Sequence, residues 1–478
     1  MKKSTGVVAV VVVAGVAYLG ATWYVGQRAQ ATIEHAVLVA NERIGKVLGV
    51  DAAGSGLKLT VDKYQRHFFS SDVTYTLRVK DQDGKPVELI LQDHLQHGPF
   101  PLDALRAGDF TPMLAFSQSQ LAVTPAIQKW FDSQKGLSPL QVETRVGFGG
   151  SGKSAWTFAP TEIAIDGEKL SFSGGVINVS FSNDFNDNVS SGKFDALSVF
   201  NEQTRESVTV KNIQLDSTTT SSGKDVKLKS KATIDSLVAG DTGDGPVTIE
   251  NLSINLDSHQ QENMLDGVLQ YEFGRLLVGD VDMGSVSVGG KVQHLDIAAL
   301  TALAAEYDAI QARQGADNDQ ELVLSPEEEA SLREKLMVLL ASNPAVELGP
   351  LTWKNAKGES RAALQVNLAK PANVQEQRVD VLAAEILKRV KLDLSVSKAM
   401  LIQAMGQGSS DPQEKLQMEM MGAMIYDQYV ARLSEAGLLK LEGDNAAAAV
   451  LYENNKVDLN GTAMSVEELM QRAMSVMM

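Results

Sequence analysis

From Leu57 to Leu295 the apolar residues tend to recur at every second position; beyond Asp296 they recur every three to four. The first spacing puts apolar side chains on one face of a strand, and the second puts them along one stripe of a helix. The pattern predicts an α+β, β-rich chain: a long antiparallel meander first, then helices inserted mainly in the C-terminal half. Early strands are expected at Leu57–Val61, Val73–Val79 and Val87–Leu91, with the turn Asp81–Lys85 between the last two.

The meander repeats itself. Leu170, Val208, Val247 and Val286 open four similar segments spaced 38, 39 and 39 residues apart. A second element recurs between them as Phe194-Asp-Ala-Leu197, Ile234-Asp-Ser-Leu237 and Phe273-Gly-Arg-Leu276. A fixed period of this size indicates one supersecondary unit, here two long strands and two turns, copied side by side. Within each copy the apolar parity flips, at Lys211-Asn212 and again at Glu250-Asn251. One extra residue there, a β-bulge, would keep every apolar side chain on one face.

After Asp296 the spacing predicts helices at Ile297–Gln314, at Pro326–Ala341 behind a Ser325/Glu328 capping box, and at Val374–Val390. A polar loop is expected from Gln314 to Glu321, and strands return at Leu351–Trp353, Ala363–Leu368 and Leu392–Val396. Asp411 should cap a helix that Gly437 ends, and Ser465 should cap the last helix. Three short strands from Leu438 to Leu459 lie between these two helices.

At the other terminus, Lys2 and Lys3 precede an uncharged run from Val7 to Val25 that closes on Trp23 and Tyr24. Its length approaches the ~30 Å hydrocarbon core of a bilayer. A transmembrane anchor is expected, with the N-terminus cytoplasmic and the bulk of the chain outside. A cleaved signal peptide ending near Ala17 is the competing reading. Gln27 to Leu48 carries a helical stripe of Ile33, Val37, Ala40, Ile44 and Val47. The expected divisions are 1–26 for the tip and anchor, 27–50 for a membrane-proximal helix, 51–295 for the β-rich region with repeats at 170–295, and 296–478 for a mixed α/β region.

Charge narrows the partners. The net charge is −17 over 478 residues. With no basic stripe, nucleic acid is not an expected partner. There are no cysteines, which excludes disulfides, thiolate zinc sites and cysteine nucleophiles. Gly147-Phe-Gly-Gly-Ser-Gly152-Lys153-Ser154 satisfies a P-loop pattern, but that chemistry needs a helix starting at once. Ala155 to Ile165 alternates like strand instead, so a hairpin loop and no nucleotide are expected. Asp93, His94 and His97 could offer metal ligands, but the prolines that follow oppose a helical pair. No cofactor and no catalytic residues are expected.

Two stretches are candidate contacts for a partner or ligand. His97-Gly98-Pro99-Phe100-Pro101-Leu102 reads as a stiff corner, with Phe100 and Leu102 filling an apolar hole, or as a docking knuckle. Met418, Met420, Met421 and Met424 cluster on one helix, where methionine suits variable apolar partners or ordinary core filling.

Tyr64–Ser71 and His97–Leu102, with Leu351-Thr-Trp353-Lys-Asn355 and Asn460-Gly461 before Met464–Leu469, resemble signatures of the YdgA-like family of bacterial inner-membrane proteins. His67 departs from the glycine expected there, which bears on the local turn. The resemblance implies a single anchor, a large periplasmic part and a homodimer, with no assigned chemistry. The repeated meander also resembles, in architecture alone, AsmA-type lipid-handling proteins. Two roles follow: an envelope scaffold acting through self-association or an envelope protein, or a carrier of phospholipid along an open sheet. Coverage of the sheet by the helices at 297–314, 326–341 and 374–390 decides between them. A periplasmic hydrolase is a distant third.

Overall fold

The computed structural model describes residues 57–67, 69–80, 85–165, 167–240, 245–314, 324–373, 379–407 and 411–477. The Val7–Val25 run, the Gln27–Leu48 stripe, most of the Asp81–Lys85 turn and most of the polar loop after Gln314 lie outside these residues. No helix among the described residues is long and apolar enough to cross a membrane. The chain divides into two compact units: residues 1–222 with 228–246, and residues 223–227 with 247–478.

Unit 1 is antiparallel throughout. Strands β1 (Lys58–Arg66), β2 (Ser70–Lys80) and β3 (Pro86–His97) form a meander; α1 (Leu102–Arg106) leads to β4 (Ala115–Leu121), and α2 (Gln128–Ser133) leads to β5 (Leu140–Val146). Then come β6 (Gly152–Phe158), β7 (Thr161–Ile165), β8 (Glu168–Phe172), β9 (Gly175–Phe181), β10 (Asn188–Asn201), β11 (Ser207–Ser222) and β12 (Asp225–Gly240). Ladders run from β1 to β6 in order, and β6 pairs with β9, which pairs with β10. β10 is long enough to hold β9 along its first half and β8 along its second, with β11 on the other edge.

The sheet of unit 1 curls round its core. Leu77 and Leu89 from β2 and β3 share one cluster with Ile177 and Phe194 from β9 and β10. Trp130 and Phe131 on α2 fill the same cluster, and Trp130 Nε1 donates to Thr161 Oγ1 at 2.8 Å. Burying a side chain of this class stabilises by ~1.5–3 kcal/mol, so one six-residue helix holds a large part of this core in place.

Unit 2 opens with three long strands, β13 (Val247–Gln261), β14 (Met264–Val278) and β15 (Val281–Asp296). Helices α3 (Ile297–Gln314) and α4 (Pro326–Leu340) follow, then β16 (Ala345–Asn355), β17 (Gly358–Leu368), α5 (Val379–Ile386) and β18 (Leu387–Ser397). The chain ends with α6 (Lys398–Gly406), α7 (Pro412–Glu435), β19 (Lys440–Glu442), β20 (Asn445–Glu453), β21 (Lys456–Leu459), β22 (Thr462–Met464) and α8 (Val466–Met477). β13 to β18 pair in order, β18 pairs with β20, and the far edge of β20 is shared by β19 and β21.

Local chemistry sets the helix ends. Ser325 and Glu328 form the reciprocal capping box of α4, and Asp411 Oδ1 accepts from the amides of Gln413 and Glu414 at the start of α7. Gly437 ends α7 with φ +72°. The expected helix to Val390 is shorter. It stops at Ile386, because Leu387 already pairs with Leu368 and Val390 with Val366 as strand residues.

The repeat is real at the level of side-chain pairs. In unit 1, Leu170 and Val208 flank the same residue of β10, Val199, from opposite edges. Phe194 and Leu197 face Ile213 and Val210 there, and Phe273 and Leu276 face Leu252 and Ile249 in the same arrangement in unit 2. The copy opened by Val286 is displaced, since a tight turn makes Val281 rather than Val286 the partner of Val278. The predicted bulges at Asn212 and Asn251 are replaced by another device. Asn212 skips pairing opposite Asp195, and Asn251 opposite Gly274, with the register unchanged on either side. Both asparagines take φ +54°, which asparagine tolerates better than most residues.

Candidate functional site

Three apolar rows cross the strands of unit 2. The first is Ile254, Tyr271, Val288, Leu351, Ala362, Leu394 and Ala448. A second runs Leu256, Leu269, Gly290, Leu348, Leu364, Leu392 and Val450, and a third Val292, Val346, Val366, Val390 and Tyr452. Directly paired residues point to the same side of a sheet, so these rows make one continuous apolar face. Seven strands at about 4.8 Å span roughly 30 Å.

Two backbone devices keep the face continuous. Asn251 lets Ile249 and Leu252 point the same way. Between Leu348 and Leu351 the two residues Gly349 and Pro350 stand opposite Gly289 on one edge and Ala363 on the other, which is a true bulge. Gly349 has φ +120°, and a Cβ there would lie 2.8 Å from the Ala362 carbonyl oxygen. Only glycine fits that backbone.

This face is only partly packed away. On β13 to β18 its one buried apolar side chain is Leu252 at 8% exposure, while Leu348 is 60% and Leu351 46% exposed. Val247, Val278 and Val288 are also exposed. The other face is polar, with Glu250, Arg275 and Asp282 joined in one ion-pair group. The described helices pack mainly on one another: α3 on α4, with Ile310 and Leu340 buried, and α6 on α7, where Met405 fills the notch at Gly422. Tyr426 fixes α7 to the strand ends by donating to the Val396 carbonyl at 3.0 Å and accepting from Ala446 N at 2.9 Å; burial pushes its hydroxyl above the usual range. The described helices cover the face only at its β20 end, where α7 packs on Val396 and Ala446 and α8 packs with Val450 and Tyr452.

The two stretches singled out in the sequence lie in different units. In unit 1 the corner joins the two distinctive stretches Tyr64–Ser71 and His97–Leu102. His97 N donates to the Phe69 carbonyl, His97 Nε2 lies 3.0 Å from Ser71 Oγ, and Tyr64 Oη is 3.1 Å from the same hydroxyl. Ser71 is fully buried, so its hydroxyl faces Tyr64 and His97 and not solvent. Gly98 has no room for a Cβ against the Met113 and Leu114 carbonyls. Phe100 and Leu102 fill no hole: both are exposed, because Ala104, Met113 and Phe116 already form the underside of the loop. In unit 2, Met420, Met421 and Met424 stand exposed on the outer side of α7, while Met418 is half-buried.

Strand alternation also separates the histidines. Asp93 and His97 share one face of β3, where Asp93 accepts from Ser117 and Ser119. His94 points to the other face, 2.7 Å from Asp72, whose far oxygen lies 3.0 Å from His67. The hydrogen bond from His94, and then that from His67, hold the Asp72 carboxyl below its usual 3.8. The P-loop pattern is a hairpin. Residues 147–151 turn between β5 and β6, Ser154 is buried against Thr144 at 2.8 Å, and strand rather than helix follows.

Comparison with known proteins agrees with the signatures. The family described as "Bacterial protein of unknown function (DUF945)" matches residues 1–467. Protein YdgA of Escherichia coli K12 is 28% identical over 98% of this chain and 96% of its own length. The uncharacterized protein YihF of the same organism is 25% identical over 99% of this chain and 98% of its own. An uncharacterized Haemophilus influenzae protein is 24% identical over 42% of this chain and 53% of its own. No solved structure matches the chain.

Proposed function

The chain belongs to the DUF945 family of bacterial proteins, and from that premise we propose that it binds the acyl part of a lipid, or another elongated apolar envelope molecule, along the partly uncovered face of unit 2. The observation that supports this is the set of cross-strand rows running through exposed Leu348 and Leu351. The first two rows are each about twice as long as the ~15 Å of one leaflet's hydrocarbon. Val288, Leu348 and Leu351 expose apolar surface on this face, and contiguous exposed apolar surface commonly marks an interaction site. At about 25 cal/mol per Å², covering it with hydrocarbon is strongly favourable. The protein would work outside the cytoplasm, tethered by Val7–Val25, as a binding protein and not an enzyme.

A second reading rests on α7. Leu416, Met420, Met424 and Tyr429 are exposed along one helix, a face that would support self-association or an envelope scaffold.

Lipid extraction from the full chain, purified in mild detergent, followed by mass spectrometry tests the first reading. The wild-type chain should carry phospholipid in defined stoichiometry, and Leu348→Asp should lose most of it while staying folded. Equal lipid in both, or none in either, would overturn the reading; a lipid-free dimer would favour the second.

A further inference from the structure

Unit 1 carries a separate apolar feature at one end of its sheet. Ladder register brings the β1–β2 turn, the β3–β4 connection and the β5–β6 turn to that end: Gln96 pairs with Ser70, Ala115 with His97 and with Val146, and Val146 with Gly152. Each connection exposes phenylalanine. Phe69 is 73%, Phe100 52%, Phe110 73% and Phe148 60% exposed, with Leu102 at 63%. Four interstrand steps of about 4.8 Å put them within roughly 20 Å.

On the β3–β4 connection, Phe100 and Phe110 are not a packing requirement. The β3–β4 connection is ordered from beneath: Gly98 N donates to the Leu114 carbonyl, Met113 N to Pro99 and Asp109 N to Ala104. Its inward side chains, Ala104, Met113 and Phe116, make their own cluster. The outward phenylalanines contribute nothing to that cluster, and leaving them in water costs free energy.

Charge selects the partner. The chain is strongly acidic, yet three acids near this rim sit beside basic side chains: Asp72 beside His67 and His94, Asp103 beside Arg106, Asp109 beside Arg145. Connections whose acids sit beside basic groups, bearing aromatic tips on separate turns, fit a neutral interface into which each ring can sink independently. A protein partner would call for one continuous surface, whereas paired charges run between these tips. The tether is long enough: residues 27–56 lie between the uncharged run and Leu57, up to roughly 100 Å when extended, against a β1 of about 30 Å.

We propose that this rim seats on a zwitterionic phospholipid surface, with Phe69, Phe100, Phe110 and Phe148 in the headgroup–acyl boundary. The proposal is independent of lipid binding by unit 2. Because the chain has no cysteine, Phe110→Cys, Phe148→Cys and Leu137→Cys each carry one nitroxide label on the full chain. Leu137 is 72% exposed at the opposite end of the sheet. In vesicles of equal parts phosphatidylcholine and phosphatidylethanolamine, the labels at 110 and 148 should favour oxygen over an aqueous nickel chelate several-fold more than the label at 137. Equal ratios at all three sites would overturn the proposal. Shielding of 110 and 148 from both probes would overturn it in favour of a protein surface.

Discussion

Asn251 and Gly274 face each other on β13 and β14 and both drop out of the ladder, while Glu250–Arg275 and Leu252–Phe273 pair on either side of them. A Cβ on Gly274 would lie 2.9 Å from the Asn251 Cβ. The pair turns the strands without inserting a residue, so apolar side chains before and after it share one face.

Gly274→Ala should therefore destabilise unit 2 by about 1–3 kcal/mol, the range for forcing one carbon into a filled space. Asn251→Gly should cost little, because glycine accepts a positive φ. Urea unfolding followed by far-UV circular dichroism distinguishes the two; equal midpoints would mean that the close approach carries no energy.

Ser71 sits between Tyr64 and His97 with no access to water. Ser71→Ala removes the shared hydroxyl and should destabilise unit 1 by about 1–3 kcal/mol, the cost of leaving buried polar groups unsatisfied. Tyr64→Phe removes one partner and should cost less. Differential scanning calorimetry of the full chain would show the order.

Asp72 links pH to stability. Its carboxyl is held below 3.8 in the folded state by His94 and His67. A depressed carboxyl pKa adds stability that is fully present above the unfolded value and is lost as pH falls through the folded value. Asp72→Asn should thus lower the wild-type urea midpoint slightly at neutral pH and flatten its decline below about pH 4. Parallel curves for the two proteins would show that these hydrogen bonds do not contribute.

Trp130 joins the two arms of the curled sheet in unit 1. Trp130→Ala should cost about 3–5 kcal/mol, as for other large aromatic deletions. Trp130→Phe should cost less, losing mainly the hydrogen bond to Thr161. Near-UV circular dichroism with thermal denaturation would register both.

Much of the fold was readable because alternation reports which side of a strand faces inward. The parity flips at Asn212 and Asn251 were visible too, but their cause was not. Whether a flip comes from an added residue or from a paired dropout depends on the opposite strand: Asn212 and Asn251 are dropouts, whereas Gly349-Pro350 includes an added residue. Val390 fits a helical stripe with Val379 and Ile386, yet the cross-strand partner Val366 decides its state. The exposure of Phe100 was hidden because apolar residues look alike whether they fill a hole or border one. Helical stripes after Asp296 promised coverage of the sheet; α3 and α4 spend theirs largely on each other, as Ile310 and Leu340 show, and α7 and α8 reach only the β20 end.

The row Val292, Val346, Val366 and Val390 offers nearly the same footing on each successive strand. A hydrocarbon guest lying along β16 could shift to β17 without uncovering more of itself to water. Under the lipid reading proposed above, such a surface would act as a track more than a pocket, setting no single resting place and letting thermal motion carry a guest sideways in steps of about 4.8 Å.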